Sequence, residues 1–391
     1  MTSAISSSLA RQLQERFRER QQQIIGLARA LVEAESPSED EAGSRQVVDL
    51  LTRAAEESSC VNSIERVNVP KLGQHLVIRA FQTKADLGNI FLVGHTDTVH
   101  PRGSLAERPW RVEANRIYGP GIYDMKANCA LAVGVLHALD DLGIVPGYGV
   151  TLALTCDEEI GSFSGWPLLE SLIQSNNTRC ALVLEPPALG GSVKTGRKGT
   201  AIFEMKVEGR AAHAGLEPQK GASAILEVAK QIERLHAMNN TGRGINVNVG
   251  VVKGGTRSNV VAAEASAEID VRFSSAAEAG EVEEALRNSR PFDERVRITV
   301  TGGINRPPME RTEQVLGLYD LARRIAQLLD FELGEAQVGG ASDGNFLAAA
   351  GVAVLDGLGI DGDGAHAPHE HILIDDISRR GALLAGLIAS L

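Results

Sequence analysis

The chain has 391 residues, with 39 lysines and arginines against 50 aspartates and glutamates and a formal charge of −11. That length excludes a small disulfide-stapled protein and leaves room for two or three domains. With 43% apolar and 23% charged residues the composition is that of a globular protein, and no basic block is present to track a phosphate backbone, which excludes nucleic-acid binding as a reading.

In chain order, a first helix is expected over residues 9–34, where Leu13, Phe17, Ile24, Leu27 and Leu31 recur at helical spacing before Ser36 and Pro37 end the run. The short polar segment 1–8 ahead of it lacks the apolar stretch of a signal peptide, and no apolar run reaches the roughly 18 residues that span a bilayer. A cytoplasmic protein without a membrane partner is expected. Ser38 and Glu41 have the spacing of a capping box for a second helix bearing Val47, Val48, Leu51 and Ala55. Strand-like runs follow at His75 to Phe81 and Ile90 to Val93, the latter continuously apolar like a strand buried on both faces. A helix over Lys126 to Leu142, a strand over Val150 to Leu154, a helix over Trp166 to Ile173 and a strand over Ala181 to Leu184 then alternate as βαβ units do.

Between residues 193 and 304 the order changes to strand (201–207), helix (222–235), strand (245–252), strand (260–273), helix (276–288) and strand (296–300). This β-α-β-β-α-β order is that of a ferredoxin-like unit. Helix 313–329, strand 352–355 and helix 377–391 resume the earlier style. The expected architecture is one mixed α/β domain, residues 1–192 and 305–391, interrupted by an inserted domain at 193–304.

The chemistry-bearing residues collect where these strands end. His95 and Asp97 follow one apolar strand, Asp157, Glu158 and Glu159 a second, and Glu185 a third, and in open α/β sheets the carboxyl edge is where sites form. Asp124 lies in the glycine-punctuated stretch Gly119 to Asp124, and His366, His369 and His371 share a glycine-rich loop after strand 352–355. A single acid in such a loop is more often a helix cap. Together with His95, the set has the nitrogen and oxygen donors of catalytic zinc and similar ions, and a cation relieves the mutual repulsion of its carboxylates. Cys60, Cys129, Cys156 and Cys180 form no CxxC pair and read as buried hydrophobes.

The strings Gly94 to Val99 (GHTDTV), Gly119 to Lys126 (GPGIYDMK), Asp157 to Ser162 (DEEIGS) and Leu184 to Pro186 (LEP) resemble the successive signatures of the M20 metallopeptidases, in particular the glutamate carboxypeptidase, or carboxypeptidase G2-like, branch. The resemblance covers nearly the whole chain. It implies a zinc-peptidase catalytic domain with a ferredoxin-like lid and dimerisation domain, a homodimer, and two zinc ions per subunit, with cobalt or manganese as substitutes. His95 and Glu185 would bind one ion, Glu159 and a C-terminal histidine the other, and Asp124 would bridge. Glu158 would be the general base and Asp97 would orient His95. The resemblance also implies a cis peptide at Asp124-Met125. For the C-terminal ligand His366, four residues before Glu370, is preferred over His369. In the inserted domain, His213 in Gly209 to Gly215 matches a lid motif that holds the substrate carbonyl oxygen from the partner subunit. Asn259, Arg272 and the Gly340 turn match positions that contact the substrate carboxylate. A strand-surface ion pair with Asp270 or Glu268 is the plainer reading of Arg272.

The implied activity is hydrolysis of an amide beside a free carboxylate, by a glutamate carboxypeptidase or alternatively an N-acyl-amino-acid deacylase. Two readings of other classes compete. Gly340-Ala341-Ser342-Asp343-Gly344 satisfies GxSxG and is followed by Asp361 or Asp363 and His366, the order of a serine esterase, though this leaves the other acids unexplained. A non-catalytic binding module is the other. His75, His100, His137 and His236 match nothing and are read as surface or helix residues.

Overall fold

The computed structural model describes residues 5–82 and 88–391. The chain forms two compact units, one made of the chain up to Thr195 with Arg311–Gln337 and Ser342–Leu391, the other of Gly196–Glu310 with Val338–Ala341. Each unit has its own apolar core.

The first unit begins with α1 (Ser7–Glu33), which buries Leu13, Phe17, Ile24 and Leu31 on one stripe. Helix α2 (Glu41–Glu56) buries Val47, Val48, Leu51 and Ala55, but its cap is Asp40, which accepts from Gly43 N, and not Ser38. Ser38 instead donates to the Asp97 carboxylate at 2.7 Å. Then come β1 (Val61–Val69), β2 (Gly73–Ala80), β3 (Asn89–His95), the one-turn α3 (Ser104–Glu107), β4 (Arg111–Glu113), β5 (Arg116–Tyr118), α4 (Ala127–Asp141), β6 (Gly149–Thr155), α5 (Gly165–Ser175), β7 (Thr178–Val183) and β8 (Val193–Arg197).

The second unit is β9 (Gly199–Glu208), α6 (Ala224–His236), β10 (Asn246–Gly254), β11 (Glu264–Phe273), α7 (Ala276–Arg287) and β12 (Arg297–Arg306). Its sheet order is β10-β11-β9-β12, all antiparallel, as in a ferredoxin-like unit. Burial alternates along β9 and β11, so Phe203, Met205, Ile269 and Val271 share a core with Val228 and Leu235 of α6 and Val282 and Leu286 of α7.

The first unit resumes with α8 (Glu313–Leu328), β13 (Glu335–Val338), α9 (Asp343–Ala349), β14 (Val354–Leu355), β15 (Gly362–Asp363), β16 (His371–Leu373) and α10 (Ile374–Ser390). Its main sheet has the order β1-β2-β6-β3-β7-β14. Strands β6, β3, β7 and β14 are mutually parallel, while β2 and β1 add on antiparallel at one edge. Every residue of β3 and β6 is buried. Helices α1, α4 and α10 pack on one another over the sheet, and α4 is buried almost throughout. Four parallel strands present their carboxyl ends at one edge, so the loops that follow them converge there. A second small sheet, β15-β16-β5-β4, ties the loop before His371 to the residues before Gly119. Among the described residues no helix is long and apolar enough to cross a membrane.

Candidate metal centre

His95 is the last residue of β3 and is almost fully buried. Its Nδ1 lies 3.0 Å from the Asp97 carbonyl oxygen and 3.4 Å from the Asp97 carboxylate, both acceptors, so Nδ1 carries the hydrogen. Nε2 then faces Asp124 Oδ1 at 3.2 Å and Glu185 Oε1 at 3.6 Å. Asp97, also buried, is fixed in turn by Ser38 and by the backbone N–H groups of Glu158 and Glu159, each at 3.2 Å. Both glutamates sit on the tight turn Glu158–Ile160 just after β6.

Asp124 lies in the turn Ile122–Lys126, and its peptide bond to Met125 is cis. Its second oxygen, Oδ2, is 3.4 Å from His366 Nε2, which is 3.2 Å from Glu159 Oε2. Two groups of potential ligand atoms result, His95 with Asp124 and Glu185, and Asp124 with Glu159 and His366, the atoms of each within 4.8 Å of one another. Asp124 belongs to both. His369 belongs to neither; its Nε2 points at Asp363 on the exposed side, 3.8 Å away.

The electrostatics are those of an acidic cluster short of positive charge. Burial opposes an imidazolium at His95, yet the hydrogen bonds to Asp124 and Asp97 outweigh it and hold the ring well above the usual histidine range. His366 is pushed up to about 10 by Asp124 first and Glu159 second. Burial opposes the Asp124 carboxylate, but the two histidines hold it below the usual range. Glu159 Oε1 is buried with no hydrogen-bond partner among the described residues. An orphaned carboxylate oxygen of this kind is costly unless a cation or water meets it. Imidazole and carboxylate donors without a thiolate suit zinc, cobalt or manganese, so the residues present fit two divalent ions.

The other site residues of the sequence reading lie in the second unit. His213 Nδ1 accepts from Gly215 N at 3.1 Å and Leu216 N at 3.2 Å, which leaves Nε2 as the donor of the neutral ring. Asn259 is its neighbour, its carbonyl accepting from Ala214 N at 3.0 Å. Arg272, on β11, makes a two-pronged ion pair with Asp270 at 2.8 and 2.9 Å. The Gly340 carbonyl accepts from Arg197 at 3.1 Å.

Several expectations are corrected. Ser342 is no nucleophile: it is fully buried, caps α9, and donates its hydroxyl to Asp356 at 2.8 Å. His371 does not share the loop of His366 and His369 but opens β16, buried with its ring against Tyr118. His75 is buried and accepts from Cys156 N, with Ser164 Oγ on its other nitrogen. His100 is buried against Glu370. The four cysteines are free and buried, as read.

The pattern described as Peptidase family M20/M25/M40 matches residues 91–390. Carboxypeptidase G2 of Pseudomonas sp. (strain RS-16) is 31% identical over 310 residues, 78% of this chain and 74% of that protein. Succinyl-diaminopimelate desuccinylase of Delftia acidovorans is 27% identical over 323 residues, 78% of this chain and 82% of that protein. Among solved structures, the YXEP protein of Bacillus subtilis, described as a dinuclear metal-binding peptidase of the M20 family, superposes with a TM-score of 0.68 at 16% identity, covering 95% of this chain and 98% of that one. The mixed sheet agrees with the fold of that structure, and by the pattern match and the likeness to carboxypeptidase G2 the chain belongs to peptidase family M20/M25/M40, as one of its metallopeptidases.

Proposed function

We propose that the protein is a di-zinc exopeptidase of the glutamate carboxypeptidase type, which hydrolyses an amide bond beside a free carboxylate. The observation that carries this reading is the sharing of Asp124 between two three-residue groups of ligand atoms. The similarity to carboxypeptidase G2 supports the substrate class. His95, Asp124 and Glu185 hold one ion and Asp124, Glu159 and His366 the other. Divalent ions held there supply Lewis acidity and lower the pKa of an attacking water.

The chain's own groups do the rest. Asp97 fixes the His95 tautomer through its carbonyl and, through its carboxylate, fixes the turn carrying Glu158 and Glu159. Glu158 takes the proton of the attacking water and passes it to the leaving amine. His213, its Nδ1 already occupied, offers Nε2–H to the carbonyl oxygen as negative charge develops there, from the second subunit of a homodimer. Asn259, Arg272 and the Gly340 turn receive the substrate carboxylate, with Arg272 drawn from its Asp270 partner.

The test is a chromatographic screen of zinc-loaded protein on folate-like glutamate conjugates, dipeptides and N-acyl amino acids. Release of C-terminal glutamate, lost on chelation, is expected; turnover that survives complete removal of metal overturns the reading. Glu158→Ala should abolish turnover with metal content unchanged. A second reading, an N-acyl-amino-acid deacylase, is favoured by the desuccinylase relative and predicts faster turnover of N-succinyl or N-acetyl amino acids than of peptides.

A further inference from the structure

Glu370 is buried between two ligand-bearing loops and reaches no ligand atom itself. Its Oε2 accepts from Gly121 N at 2.8 Å and from His100 Nε2, and its Oε1 accepts from Tyr123 N at 2.9 Å and Asp124 N at 3.0 Å. Four donors on two oxygens fill the hydrogen-bonding capacity of a carboxylate. Arg108 points both terminal nitrogens at His100 Nδ1, each at 3.4 Å, so Nδ1 is the acceptor and Nε2–H the donor toward Glu370. The backbone of Glu370 joins the same loops, its carbonyl accepting from Gly119 N at 3.4 Å and its N–H donating to Ala367, next to His366.

From this geometry we infer that Glu370, oriented by His100, is a positioning residue that sets the one aspartate common to both ligand groups. Asp124 has its main chain held by Glu370, while its two carboxylate oxygens point one to each group. A displacement of that residue therefore loosens both groups together, whereas loss of Glu185 or of Glu159 loosens one. Glutamine at position 370 keeps the shape but turns an NH2 group against two donors, so the arrangement needs the carboxylate itself. The inference rests on the proposed two-ion reading.

The experiment measures the affinity of both zinc ions by competition with a chromophoric chelator, together with the melting temperature, in wild type, Glu370→Gln, His100→Leu and His100→Gln. Glu370→Gln is expected to weaken both ions in parallel by about 10- to 100-fold, the range found for partners behind metal ligands. His100→Leu should weaken both by less, and His100→Gln, whose amide nitrogen stands where Nε2 stood, should recover most of the loss. A purely structural role would lower the melting temperature of Glu370→Gln and leave affinity per folded molecule unchanged, which overturns the inference. If Glu370→Gln does not fold, the two His100 variants decide, and equal affinity in both overturns it. Wild type that binds no pair of ions instead overturns the two-ion reading.

Discussion

Asp124 and Glu159 push His366 up to about 10, so an ion taken up there near neutral pH would have to displace a proton. His95 is likewise held well above the ordinary histidine value. The sign follows directly: ion uptake near pH 7 releases protons, and affinity rises with pH up to the point where His366 is neutral. Calorimetry in buffers of different ionisation enthalpy should show that release, and His366→Ala should lose one ion and part of the proton release with it. An affinity that is flat from pH 6 to 9 contradicts this. These candidate ligands stand out in the sequence because each follows an apolar strand or lies in a glycine-rich loop, chemistry set by local sequence. Their supports were not. Glu370 and His100 lie 270 positions apart, and nothing local marks either as the other's partner, although the spacing from His366 drew attention to Glu370. Ser38 misled in the opposite way: Asp40, two residues on, is the better-placed cap, and the Ser38 hydroxyl goes to Asp97.

Asp40 illustrates what one cap does for an element. It accepts from Gly43 N at 2.9 Å and pairs with Arg102 at 2.6 Å, and that guanidinium holds its carboxyl below the ordinary value of 3.8. Asp40→Ala should cost about 1 kcal/mol, the usual value of such a cap. Because the folded pKa is depressed, the carboxylate's contribution is fully present above pH 3.8 and fades as pH falls through the folded value. Urea unfolding of wild type and Asp40→Ala should therefore differ at pH 7 and draw together as the pH falls below 3.8. A tighter constraint joins α1 to α10. A methyl on Gly381 would come within 2.2 Å of the buried Phe17 ring, so Gly381→Ala should destabilise by about 1–3 kcal/mol, read from the same unfolding curves. The long elements were readable because their apolar periods run for several turns or a whole buried strand. The edge strand β1, half exposed and without a clean alternation, and the two- and three-residue strands β4, β5, β15 and β16 were largely not, since they are too short or too exposed to carry a period and are held by pairing with other strands.

For the molecule as a whole, ions bound only by the folded state add stability of about 2.7 kcal/mol for each site held at 100 times its dissociation constant. Chelation should lower the melting temperature, and restored zinc should raise it again; equal melting curves would mean that no ion is bound at the strand ends. The acidic balance of −11 is consistent with this, because part of it is the cluster itself. The division into units was legible in the switch from alternating βαβ order to β-α-β-β-α-β, and the compact second unit at Gly196–Glu310 starts and ends a few residues later than 193–304. It also takes in Val338–Ala341, a return of the chain that no local signal announces. The packing of α1 against α10 has a bearing on synthesis. A ribosome releases α1 before α4 and long before α10, the two helices it packs on, so the Phe17 ring that meets Gly381 of α10 gains that part of its cover only late in translation.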